Sequence, residues 1–85
     1  MVIKVLAAEA DLTSASNVTN ATLVRLYNGH SAVSVITRKD SGGSTIGSMT
    51  VLNGTVVFME KNATDTLTAS AGGASVKVVK IAFTR

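Results

Sequence analysis

The sequence predicts an all-β fold: a small antiparallel β-sandwich or barrel of seven to eight short strands, forming one domain over residues 1–85. Three observations predict it. Val-, Thr-, Ser- and Ala-rich segments alternate apolar and polar with period two, as half-buried strands do. Turn signals built on Gly and Asn recur every ~8–12 residues. Residues 7–11 are the one stretch with tolerable helix propensity, and they are too few to nucleate a stable helix.

Each element follows in order. Residues 2–8 open the chain as a strand, residues 11–16 form a weaker one, and residues 17–20 are rich in turn formers. Asn-Gly between alternating segments favours a tight hairpin, because both central residues of its turn need positive φ. Asn28-Gly29 therefore predicts a hairpin of residues 21–27 with 30–38, setting Tyr27 opposite His30 and Val24 opposite Val33. Asn53-Gly54 predicts a second hairpin of residues 45–52 with 55–61, setting Val51 opposite Val56 and Met49 opposite Phe58. Asp40-Ser41-Gly42-Gly43 reads as a flexible link between the two. Residues 66–70 form a short strand, Ala71-Gly72-Gly73 turns the chain, and residues 75–84 make the longest strand. The expected core is Val24, Leu26, Val33, Val35, Met49, Val51, Val56, Phe58, Ile81 and Phe83. The other face of the second hairpin carries Ile46, Val57 and Met59, too apolar for open water. A covering sheet accounts for Val57, and contact with another subunit accounts for Met59, whose flexible thioether adapts to irregular surfaces. These three residues are the candidate protein interface.

Composition limits what such a domain can do. Apolar residues make up 46% of the chain, but Tyr27, Phe58 and Phe83 are its only aromatics, so the core is thin. Small domains compensate with disulfides, metals or oligomerisation. No Cys and a single His close the first two routes, which leaves self-association or binding to a larger assembly. The net charge of +3 is dispersed, and the one adjacent basic pair, Arg38-Lys39, is followed by Asp40. That pattern lacks the basic stripe and stacking aromatics of a nucleic-acid binder. The opening apolar run is too short for a signal-peptide core, and no run can span a membrane. Four Asn-x-Thr triplets, at Asn17, Asn20, Asn53 and Asn62, read as turn-to-strand junctions rather than glycan acceptors.

No residue constellation points to catalysis. His30 follows a turn without an acidic neighbour and reads as an exposed turn residue. Glu60 and Asp65 flank Lys61-Asn62-Ala63-Thr64, where Asp65 reads as a turn or capping residue rather than half of a carboxylate pair. The Gly42-Gly43 pair lacks the strand-to-helix setting and following Lys of a phosphate loop. No Ser occupies a Gly-x-Ser-x-Gly elbow. The expectation is a protein that is not an enzyme, with no catalytic residue, no metal and no cofactor.

The segment from Thr55 to Leu67, TVVFMEKNATDTL, resembles the Val-Phe-x-Glu-Lys…Thr-Asp-Thr-Leu/Ile segment of small virion structural proteins from phages of marine cyanobacteria. The LVRLYN stretch from Leu23 to Asn28 and the terminal residues 79–84 are similar in placement, and the resemblance covers about two-thirds of the chain. It implies a structural protein of the particle and carries over no catalytic residue. The expectation is a capsid decoration, or cement, protein bound outside the head shell, located in the virion and assembled in the host cytoplasm. Its partners would be the major capsid protein or other virion proteins, as a homo-oligomer or bound to the assembly, without nucleic acid or membrane. A tail or neck component is the alternative within that class. A small carbohydrate- or cell-surface-binding module is the alternative outside it, weakened by the scarcity of aromatics.

Overall fold

A computed structural model describes residues 2–84; Met1 and Arg85, the last of the basic residues, lie outside the described residues. The architecture is all-β, with eight strands: β1 (Val2–Val5), β2 (Ala10–Asp11), β3 (Leu23–Asn28), β4 (Ser34–Lys39), β5 (Thr45–Val51), β6 (Val56–Glu60), β7 (Thr66–Ala69) and β8 (Val76–Thr84). A single 3₁₀ turn at Gly73–Ser75 leads into β8. The strands form two antiparallel sheets. One runs β1-β8-β3-β6, with β2 also paired to β8, and the other runs β5-β4-β7. The shortest dimension of the molecule is 19 Å. That thickness fits two sheets about 10 Å apart with their outer side chains.

Neither Asn-Gly pair closes a hairpin. β3 pairs with β6 and β8, β4 pairs with β5 and β7, and each Asn-Gly segment carries the chain from one sheet to the other. The first turn fails as a hairpin because Asn28 is buried. Its Nδ2 donates to the carbonyls of Val51 (2.9 Å) and Ala32 (3.2 Å), and its Oδ1 accepts the His30 N–H (3.0 Å). Gly29 is needed for space, since a Cβ there would lie 2.8 Å from the Ser75 carbonyl. In the second, Gly54 has φ 76° while Asn53 keeps negative φ, and the Thr55 N–H reaches the Leu52 carbonyl. That is the pattern of a type II turn, which splays its flanking strands instead of pairing them. The two crossings are tied together: Gly54 N–H donates to Asn28 O (2.7 Å) and Asn28 N–H to Thr55 O (3.0 Å).

The true hairpin is β4–β5, closed by the segment expected to be a plain link. Asp40 Oδ1 accepts the N–H groups of Gly42 and Ser44, both at 2.9 Å, and the backbones of Asp40 and Ser44 close the loop. A register shift at Arg38/Lys39 leaves Ile46 as the extra, bulged residue.

The core lies between the sheets. Val24, Leu26, Val76 and Val78 contribute from the larger sheet, Ile36, Val51 and Leu67 from the smaller, and Leu12, Val18 and Ala21 from the connections. Of the expected core, Val24, Leu26, Val51 and Ile81 are buried, Val35 is half-buried, and Val33, Met49, Val56, Phe58 and Phe83 are exposed. On β4 the inward face is Ser34, Ile36 and Arg38. A strand with one large aliphatic on each face, Val35 or Ile36, gives alternation no means of choosing.

The two sides of the sandwich differ. On one side, residues 10–16 run from the edge of β8 to the edge of β7, where Ser16 bridges Leu67, and Leu12 is buried beneath. Behind this segment Val18, Thr19 and Asn20 form a left-handed turn with φ of 53°, 57° and 56°. Each such residue costs about 1–2 kcal/mol. Burial of the Val18 side chain and the hydrogen bonds from Ala21 N–H to Asn17 O and from Val18 N–H to Ser16 Oγ offset that strain. On the opposite side, β5 and β6 are edge strands, and nothing among the described residues pairs with their free edges.

Candidate interaction surface

Paired residues in an antiparallel sheet share a face. The register therefore puts Arg25, Tyr27, Val56, Phe58, Val79, Ile81, Phe83, Ile3 and Val5 on the outer face of the larger sheet, away from the core. This face holds a second hydrophobic layer. Val79 and Ile81 are only 4% and 3% exposed although they stand outside the main core cluster. Phe58 and Phe83 meet edge to face, with ring centroids 5.4 Å apart at 68°. Both rings remain about two-fifths exposed, beside Val5 and Val56, which are also exposed. Glu9 reaches Arg25 at 3.4 Å, and Lys77 pairs with Asp11, so charged groups frame the patch. The sequence signal for it was β6 itself, Val-Val-Phe-Met-Glu, which is apolar on both faces.

The three residues expected at an interface are divided by the fold. Val57 and Met59 point inward and pack against the core cluster, so the smaller sheet of the same chain covers them. Ile46 stays exposed on β5. Ile46 and Met59 nevertheless meet at a groove of about 430 Å³ on the open side of the sandwich, between β5 and β6. Its apolar lining comes from Ile36, Ile46, Met49, Met59 and Leu67, and its charge from Arg38 and Glu60.

Charge is buried at the crossing from β6 to β7. Asp65, almost wholly buried, accepts hydrogen bonds from Arg38 Nε (2.8 Å) and the Asn62 N–H (3.0 Å), and Arg38 Nη2 lies 2.6 Å away. Burial works to raise the Asp65 pKa. The Arg38 hydrogen bond, the Asn62 N–H and the charges of Arg38 and Lys61 outweigh it and hold the carboxyl below the usual carboxylate range. Lys61 is buried too, with its ammonium donating to the carbonyl of Asn62 (3.2 Å). Burial pulls its pKa down, assisted by Arg38 and opposed by Asp65. Asp65 thus fixes a turn and tethers β4, while Glu60 stays exposed; the two carboxylates have separate environments.

His30 is half-buried rather than exposed. Its side chain lies against Gly72, where a Cβ would fall 2.1 Å from the imidazole ring, and Gly72 has φ 64°, so glycine is required there on both counts. No group of three or more His, Asp or Glu side chains able to hold a metal gathers among the described residues. No helix of the described residues is long and apolar enough to cross a membrane. Comparison with protein-family models, with curated proteins and with solved structures finds no match for this chain.

Proposed function

We propose that this chain is a non-catalytic structural protein of a phage particle, a capsid decoration protein that docks on the outside of the head shell. The observation that carries the docking role is the hydrophobic layer on the outer face of the larger sheet, where the exposed, touching rings of Phe58 and Phe83 share a face with buried Val79 and Ile81. Aromatic residues ringed by charge are the usual anchors of protein interfaces. The opposite outer face is rich in Thr and Ser and suits the solvent side of a protein seated on a shell. The resemblance of residues 55–67 to virion proteins supports the particle as the assembly, and the same resemblance leaves a tail or neck position as the second outcome of the test.

The test adds gold-labelled protein to expanded heads and to isolated tails of a cyanobacterial phage and counts label by electron microscopy. Wild type should decorate heads. Phe58→Asp should keep its far-ultraviolet dichroism and lose most of its occupancy. Label confined to tails would replace the head assignment, and undiminished binding by folded Phe58→Asp would remove this face from the interface.

A further inference from the structure

We infer that a second copy of this chain docks on the free edge of β5, pairing strand to strand across a twofold axis at Ser48. β5 spans seven residues, Thr45–Val51, and all but Val51 are exposed. Natural edge strands are blunted with Lys, Pro or inward charge, or kept short. β5 has no charged residue and no Pro, and its bulge lies at one end. On a chain of net charge +3, it offers a second copy a strand free of like-charge repulsion. β6, the other edge strand on the open side of the sandwich, carries Glu60 and is shorter.

The side chains complement themselves in one register. Met49 and Gly47 pair with Ile36 and Arg38, so both face the interior side of the sheet. Met49 is 44% exposed, and a Cβ at Gly47 would meet nothing within 4 Å. Antiparallel pairing centred on Ser48 sets each Met49 opposite the partner's Gly47. The long thioether then enters the space that the missing side chain leaves, at the mouth of the groove lined by Ile36, Met59 and Leu67. The contact is isologous and closes on itself, giving a dimer with a continuous six-stranded sheet rather than a fibre. This inference does not depend on the particle reading, because the edge is separate from the Phe58–Phe83 face.

Charge at the axis residue tests it. Ser48 is exposed and points to the outer face, so substitution there leaves the fold intact. Sedimentation equilibrium should show wild-type dimers, while Ser48→Lys and Ser48→Glu each associate at least about tenfold more weakly, because each charge faces its own copy. An equimolar mixture of the two variants should restore the dimer as a heterodimer. Wild type that stays monomeric at millimolar concentration, or a Ser48→Lys variant that dimerises as wild type does, would overturn the proposal. So would a mixture that fails to recover association.

Discussion

The two outer faces of this sandwich follow opposite logic. On the smaller sheet the outward residues include Val35, Thr37, Lys39, Ser48, Thr50, Thr66 and Thr68, mostly hydroxylated, with no second layer beneath them. On the larger sheet the outward residues include Val79 and Ile81, which are as inaccessible as the core, and two phenyl rings on the same face that still meet solvent. One sheet is therefore a simple half-buried layer, and the other is apolar on both sides. A domain with so few aromatics places all three on the outside of one sheet, a placement that stabilises the monomer only in part and leaves surface for a partner.

Truncation of the hidden layer should have the largest effect. Ile81→Ala should destabilise the protein by about 2–5 kcal/mol, the range for a buried large-to-small change, although Ile81 stands outside the main core. Thr50→Val on the other outer face should stay within about 0.5 kcal/mol. Equal effects in denaturant titrations would erase the distinction between the faces.

Phe58→Ala comes next. With the ring 43% exposed, about 1–2 kcal/mol is expected from lost burial and the lost edge-to-face contact, less than the 3–5 kcal/mol typical of a fully buried Phe. A loss in that upper range would mean that the ring belongs to a core and not to a docking face.

Acid should separate the sheets. The Asp65 pKa is lower in the folded chain than in the unfolded one, so its contribution is complete above the ordinary carboxylate value. That contribution declines as pH falls through the depressed folded value. Because Asp65 holds Arg38 of β4, amide exchange corrected for intrinsic rates should accelerate in β4, β5 and β7 before β3 and β8. Asp65→Asn should abolish that order. Lys61 acts in the opposite range: its penalty persists at neutral pH and is relieved as pH rises toward the ordinary lysine value.

Strand existence was legible because the period-two pattern is local. Seven of the eight strands fall on segments read as strands, with ends shifted by a few residues; β2 is reduced to two residues at the start of the weak segment. Pairing was not legible. Asn-Gly at positions 28 and 53 carries a strong local preference for hairpins, but local preference ignores what a side chain meets across the molecule. Asn28 is held by Val51, a residue 23 positions away in the other sheet, and this contact turns the corner away from hairpin geometry. The short link at residues 40–43 closed the real hairpin because Asp40 supplies an acceptor to two backbone N–H groups. Ile46 and Met59 were legible as misplaced apolar residues, but the groove that joins them exists only because β5 and β6 end neighbouring sheets.

By itself the sequence determined the all-β class, the strand positions and the alternation along β8, since each depends on residues within a few positions of one another. Tertiary structure alone decided which face of β4 and β6 turns inward, which strands are neighbours, and that Phe58 and Phe83 stand outside. When both faces of a strand are apolar, alternation is symmetric. The choice then falls to distant contacts, here the Arg38–Asp65 pair, the Asn28 amide and the second layer over Val79 and Ile81.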